Sequence, residues 1–242
     1  MSQAVPLGSP RRFLEVALAA LLGCGGDLTL PASSGTGVDL SIVAGRTQTG
    51  TVGERLPSSV IVEVVTDGGQ PIGGRRVAFV LSDTSAGTID PDTGVTNSEG
   101  RASAQWVLGR TPGEYQGEAR LVTTDSIPPP AVPFAATARA GAPDTIRAVS
   151  PQSQPGRRDH ELDDPLVVAV TDRFGNPVPD ATVHWTVTTG GGSLSAEETV
   201  TGSDGTTSVV WTLGSGIGIQ RATATVDGAT GSPVTFTAAV LF

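Results

Sequence analysis

The sequence predicts an all-β chain built as two tandem β-sandwiches. Three observations carry that prediction. The chain is duplicated: Gly69-Gln70-Pro71 reappears as Gly175-Asn176-Pro177, a shift of 106 residues (175 − 69), and Trp106-Val107-Leu108-Gly109 reappears as Trp211-Thr212-Leu213-Gly214, a shift of 105 (211 − 106). A repeat of about a hundred residues is domain-sized, too long for a solenoid unit. Apolar residues alternate with polar ones in short runs, the period-2 mark of half-buried strands. The composition is rich in Val, Thr and Gly, with 32 Gly, 18 Pro and only 4% aromatics, which favours strands and turns.

In the second copy, Leu166, Val168 and Val170 alternate as one strand. Asp172 to Pro177 then forms a turn, in which Gly175 tolerates positive φ, Asn176 nearly so, and Pro177 stiffens the exit. Val183, Trp185 and Val187 face one way; Thr182, His184 and Thr186 face the other. A Gly-rich break at 189–193 precedes a short strand and turn through Leu194, Val200 and Asp204-Gly205. Val209, Trp211 and Leu213 point inward again, and strands through Ala222 to Val226 and Val234 to Ala238 complete the copy. The first copy runs in parallel: Val60 to Val64, Val77 to Leu81, Ala102 to Leu108, Ala119 to Val122 and Val132 to Ala138. About seven short strands per copy, with turns every 8–12 residues, is the pattern of an Ig-like sandwich. The boundaries read as 38–139 for the first domain and 143–242 for the second, and no amphipathic helix follows residue 24.

Trp106, Trp185, Trp211 and Phe79 read as core anchors rather than ligand-stacking aromatics. Trp106 is flanked at two residues' distance by Ala104 and Leu108, and Trp211 by Val209 and Leu213, all facing the same way. One buried Trp removes ~200 Å² from water, an upper bound of ~5 kcal/mol. Each sandwich must rest on such a core, because the single cysteine, Cys24, allows no intrachain disulfide. The turns are set by Gly69 and Pro71 in one copy and by Gly175, Asn176 and Pro177 in the other.

The amino terminus reads as an address. Arg11-Arg12 is followed by a mostly apolar run from Phe13 to Gly23, too short to span a bilayer. Leu21-Leu22-Gly23-Cys24 resembles a bacterial lipobox, which implies a lipoprotein signal peptide over 1–23 and lipidation of Cys24. Two acyl chains at ~0.8 kcal/mol per buried methylene anchor a protein stably where one does not. Residues 24–37 then read as a lipid-anchored flexible tether. Gly25, not Asp, follows the cysteine, which by the enteric sorting rule implies the outer membrane.

Taken together, Asp172-Arg173-Phe174-Gly175-Asn176-Pro177, Val183-His184-Trp185-Thr186-Val187, Gly190-Gly191-Gly192-Ser193-Leu194, Asp204-Gly205 and Trp211-Thr212-Leu213-Gly214 resemble the bacterial Ig-like domain group 1, the repeat of invasin and intimin stalks. The first copy is the divergent one: Gln70 replaces the Asn, Gly73-Gly74 loosens the turn exit, and Ala86-Gly87 stands for the Gly-rich run. The resemblance implies a stiff display or adhesion rod. The family's outer-membrane barrel and lectin-like tip have no matching positions in this sequence.

Other chemistry is sparse in the sequence. A net charge of −9 with no Lys argues against nucleic acid as a partner and removes Schiff-base catalysis. His160 lies in a charged loop and His184 on an outward strand face, so no metal or acid–base set is expected. Asp90-Pro91-Asp92-Thr93-Gly94 lacks the third acid and closing Glu of a calcium loop. Asp163-Asp164 is a loop, and Gly214 to Gly218 opens no helix to cradle phosphate. The expectation is a non-enzymatic, cofactor-free, monomeric rod of the bacterial cell envelope. It is held to the membrane by lipid and presented to an unidentified protein or glycan. The alternative is a polysaccharide- or envelope-binding module that uses the sandwich-end loops.

Overall fold

A computed structural model describes residues 37–123 and 130–240. The expectations for 1–23, for Cys24 and for the tether before residue 37 therefore lie outside the described residues. The described residues fall within one compact unit, Ala32–Phe242.

The first sandwich contains β1 (Val38–Ala44), β2 (Thr47–Thr51), β3 (Val60–Thr66), β4 (Arg76–Leu81), β5 (Gly87–Asp90), β6 (Thr93–Val95), β7 (Arg101–Leu108), β8 (Gly113–Leu121) and β9 (Ala131–Arg139). The second contains β10 (Thr145–Ala148), β11 (Ser153–Gly156), β12 (Leu166–Thr171), β13 (Thr182–Thr189), β14 (Gly192–Leu194), β15 (Glu198–Val200), β16 (Thr206–Val209), β17 (Trp211–Leu213), β18 (Gly218–Thr225) and β19 (Val234–Val240). One sheet of the first sandwich runs β1-β3-β7-β5 and the other β2-β9-β8-β4-β6. The second sandwich repeats this as β10-β12-β16 with the pair β17-β14, and as β11-β19-β18-β13-β15.

The duplication extends to register. Leu166 opposes Val209 as Val60 opposes Ala104. Leu194 opposes Trp211 as Ile89 opposes Trp106. Trp185 opposes Ala224 as Phe79 opposes Ala119. Register is strongly specified wherever one face is buried, so equivalent cores enforce equivalent pairings.

Each copy has more strands than the sequence pattern announces. β2 pairs in parallel with β9, and β11 in parallel with β19. Their sequences, Thr-Gln-Thr-Gly-Thr and Ser-Gln-Pro-Gly, carry no apolar alternation. Both lie at a sheet edge, where Pro155 is tolerated. The stretch read as one strand from Leu194 to Val200 is two: β14 joins one sheet and β15 the other.

Each sandwich has its own hydrophobic core. Trp106, Trp185, Trp211 and Phe79 are each 2% exposed or less. Trp106 meets Phe134 edge to face at 5.4 Å, and Trp185 stacks on Phe236 at 6.3 Å. The indole N–H groups differ. Trp106 Nε1 donates to Ala86 O at 2.9 Å, and Trp185 Nε1 to Thr199 Oγ1 at 2.8 Å. The acceptor for Trp106 is supplied by a short 3₁₀ turn, Thr84–Ala86, capped by Asp83. At the matching place the second copy has its Gly-rich run, and Trp211 Nε1 is buried without a hydrogen-bond partner among the described residues.

This difference yields a test. Both substitutions Trp106→Phe and Trp211→Phe remove similar apolar area, but only the first breaks a hydrogen bond, and the second removes an unsatisfied donor. Trp106→Phe should therefore cost its sandwich about 1–3 kcal/mol more than Trp211→Phe costs the other. Calorimetry on the two variants measures this, and equal losses would contradict it.

Candidate functional site

No catalytic constellation assembles in the described residues; the most elaborate polar site is the junction between the sandwiches. It is built from the turn that follows β12. Asp172 N donates to Asn176 O, and Gly175 N to Asp172 O, which closes the turn. Gly175 sits at φ 83°, a conformation that strains other residues. The Asp172 side chain, 2% exposed, fills the turn from within. Its Oδ1 accepts from Phe174 N at 2.8 Å and Asn176 N at 2.9 Å. Asn176 Nδ2 bridges both carboxylate oxygens, at 3.1 and 2.9 Å.

Two further contacts turn this local motif into a clasp. Asp172 Oδ2 accepts from Gly141 N at 2.9 Å, so the turn grips the linker itself. Asn176 Nδ2 also donates to Arg110 O of the first sandwich at 2.7 Å. Phe174, held outward by the turn, packs against the first core. It touches the backbone at Gly53 so closely that a Cβ there would lie 2.6 Å from the ring. Arg173 and Arg110 lie over the same ring at 4.7 and 5.7 Å. The linker is Ala140 to Pro143, and the N–H of its one glycine, Gly141, is tied down by this bond.

Burial is the largest single influence on the Asp172 carboxyl and opposes its ionisation. The bonds from the Asn176 side chain and from the N–H groups of Gly141, Asn176 and Phe174 together outweigh it, and hold the carboxyl below its ordinary value. Asp83 and Asp204 are lowered too, chiefly by the N–H groups of Ser85 and Thr206.

The first copy builds the same turn with different chemistry. Thr66 stands where Asp172 does, and among the described residues its Oγ1 accepts only from Gln70 N, at 3.1 Å. Gly69 takes φ 77°, and Pro71 bridges to Val65 as Pro177 bridges to Thr171. Gly68 stands where the second copy has Phe174, so the projecting aromatic is missing.

The remaining candidate residues are scattered. His184 Nδ1 lies 3.4 Å from Glu198 at an exposed site, bordering an open groove of about 670 Å³ lined also by Ser193 and Leu194. The equivalent groove in the first sandwich, about 470 Å³, has Ala78 in place of the histidine. His160 Nδ1 is 2.9 Å from Arg158 O in an exposed loop. Asp90 and Asp92 lie at the exposed connection between β5 and β6, and Asp163-Asp164 is an exposed loop. Among the described residues no three His, Cys, Asp or Glu side chains gather in a metal-sized group. Gly53 and Arg110, the first sandwich's partners at the clasp, were not legible as site residues, because nothing local to either marks it as an interface residue.

The fold and the junction together define a tandem pair of Ig-like sandwich modules coupled by a carboxylate-centred clasp. Residues 163–239 match the family model of the bacterial Ig-like domain (group 1). The second sandwich therefore carries a bacterial Ig-like domain of that group. The solved structure of FdeC, described as a broadly conserved Escherichia coli adhesin, is similar at 22% identity and a TM-score of 0.52, covering 84% of this chain and 64% of that one. The chain thus spans just under two thirds of the FdeC structure. The Yersinia pseudotuberculosis protein InvD matches at 15% identity and TM-score 0.49, over 86% of this chain and 58% of that one. The D0-D1 domain of intimin matches at 18% identity and TM-score 0.32, over 84% and 98%. No curated protein matches the sequence at a significant level.

Two outcomes are expected of the clasp. A carboxyl lowered in the folded state adds stability that is complete above its ordinary value of about 3.9 and is lost as pH falls through the lowered one. Stability should therefore drop below about pH 4. Asp172→Asn should lose about 1–3 kcal/mol at pH 7 and show a shallower acid limb. Urea unfolding from pH 7 to pH 2.5 decides; identical acid limbs would remove Asp172 from the account. Phe174→Ala should cost about 1–2 kcal/mol, less than for a fully buried Phe. It should also speed proteolytic cleavage at 140–143 while both cores stay folded, as read by near-ultraviolet circular dichroism.

Proposed function

We propose that this chain is a non-catalytic, lipid-anchored display or adhesion rod of the bacterial cell envelope, of the invasin and intimin kind. The observation that carries the reading is the clasp. A linker of four residues, Ala140 to Pro143, reaches about 14 Å at most. Its one glycine is bonded to the buried carboxylate of the following module. A short linker fixed in this way suits a spacer that must hold its orientation. The family match of the second sandwich supports the reading, and the first sandwich, with the same strand order, is proposed as a divergent copy of the same domain.

In this proposal residues 1–23 are a signal peptide, Cys24 carries the lipid, residues 24–37 are the tether, and the outer membrane is the destination. The partner is an envelope or host protein or a glycan. Exposed Ile217 and Ile219, 67% and 49% accessible at the end of the second sandwich away from the clasp, favour a second reading. In that reading the end loops themselves bind an envelope polysaccharide.

Cys24→Ala should release the protein from membranes, and a palmitate analogue should label only the wild type; equal labelling would remove the anchor. Small-angle scattering on residues 38–242 should give a radius of gyration well above the ~16 Å of one compact globule of that length. A glycan array separates the two readings, since binding lost in Ile217→Ser would favour the second.

A further inference from the structure

The two sandwiches present equivalent far ends, but only the first is used. Gly50 and Gly156 are equivalent: each packs against a pair of leucines, Leu56 and Leu108 in one copy, Leu162 and Leu213 in the other. Leu56 N donates to Trp106 O as Leu162 N donates to Trp211 O, so the segments between match residue for residue. Gly53 thus corresponds to Asp159, and the backbone agrees, at φ 70° and 59°. Val52 corresponds to Arg158. Arg110, following Gly109, corresponds to Ser215, following Gly214.

Gly53 and Arg110 receive the clasp directly, and Val52 lines the same junction beside Gly141 and Arg173. Phe174 needs bare backbone at Gly53, since a Cβ there would lie 2.6 Å from the ring. At the far end of the second sandwich that place holds a whole carboxylate. Val52 is 1% exposed, whereas Arg158 is exposed. The cation over the ring is replaced by a serine. The first sandwich, for its part, has Gly68 at the turn position that carries Phe174 in the second.

We propose that module docking in this chain is directional and occurs once. The far end of the first sandwich is a receptor for an Asp-Arg-Phe-Gly-Asn-Pro turn at the entrance of a neighbouring sandwich, with Gly53, Val52 and Arg110 as its specificity residues. The far end of the second sandwich rejects that turn through Arg158 and Asp159. The entrance of the first lacks the aromatic to offer. Copies of the chain therefore do not join head to tail through this contact, which as a heterologous interface would otherwise propagate. This inference rests on the clasp geometry and stands whether or not the chain is an adhesin.

The test extends the full chain with a second copy of residues 140–242, giving a natural and an added junction. Spin labels placed across each junction report its distance distribution. The natural junction should give a narrow distribution and the added one a distribution at least about twofold wider, as a flexible linker does. Arg158→Val, Asp159→Gly and Ser215→Arg in the middle sandwich should narrow the added junction to match the natural one. In the unextended chain, Gly53→Asp should widen the natural junction. Val52→Arg with Arg110→Ser, which spares the positive-φ residue, should do the same if Gly53→Asp fails to fold. An added junction as narrow as the natural one without substitution would overturn the proposal. So would a natural junction unchanged by the substitutions at Gly53, Val52 and Arg110.

Discussion

The arrangement of this protein turns on one ionised side chain. Asp172 is nearly inaccessible, and a buried charge is expensive unless its oxygens are fully engaged. Here they are: three backbone N–H groups and one side-chain amide converge on the carboxylate. Two of those N–H groups belong to the turn, and the third belongs to the linker. The same carboxylate thus shapes the turn, aims Phe174 away from its own core, and holds the incoming chain. The first copy has the turn without the carboxylate. Thr66 closes it with a neutral hydroxyl, and among the described residues that hydroxyl accepts one bond and grips no neighbouring module.

Burial and charge divide the labour in the two modules. Their stability lies in separate apolar cores, each spanned by Trp and Phe side chains that need no disulfide. Surface ion pairs such as Arg101 with Glu63 and Arg120 with Glu118 are half-exposed and contribute little to it. Polar chemistry is concentrated instead where one module meets the next. The net charge of −9 sets copies of the chain against one another by mutual repulsion.

Much of this was legible in the residues. Alternation located the long inner strands, because a strand with one buried face must repeat every second residue. Gly-Asn-Pro and Asp-Gly marked turns for the reason that positive φ demands it. The edge strands β2 and β11 were not legible: their backbones hydrogen-bond while their side chains touch little of the core, so selection for apolar alternation is absent. The clasp was half legible. Asp172 to Pro177 stood out as a turn, but its contacts with Gly53 and Arg110 join residues more than sixty positions apart, and a lone aromatic in a turn does not announce its partner. The direction of the second module was equally hidden. Gly205 packs beside Pro177 at the clasp, which leaves the Gly190 run and Gln220 at the other end.

The parallel edge strands have a mechanical consequence. In each module an early strand lies beside the last one and points the same way: Thr47 to Thr51 beside Ala135 to Arg139, and Ser153 to Gly156 beside Thr237 to Val240. A pull on the two ends of such a module drags these neighbours in opposite directions along their length. The ladder between them is then loaded in shear, so its bonds must fail together instead of opening one at a time. Each module is in that sense a force-bearing link, with its resistance set by the two strands that the sequence disguised best.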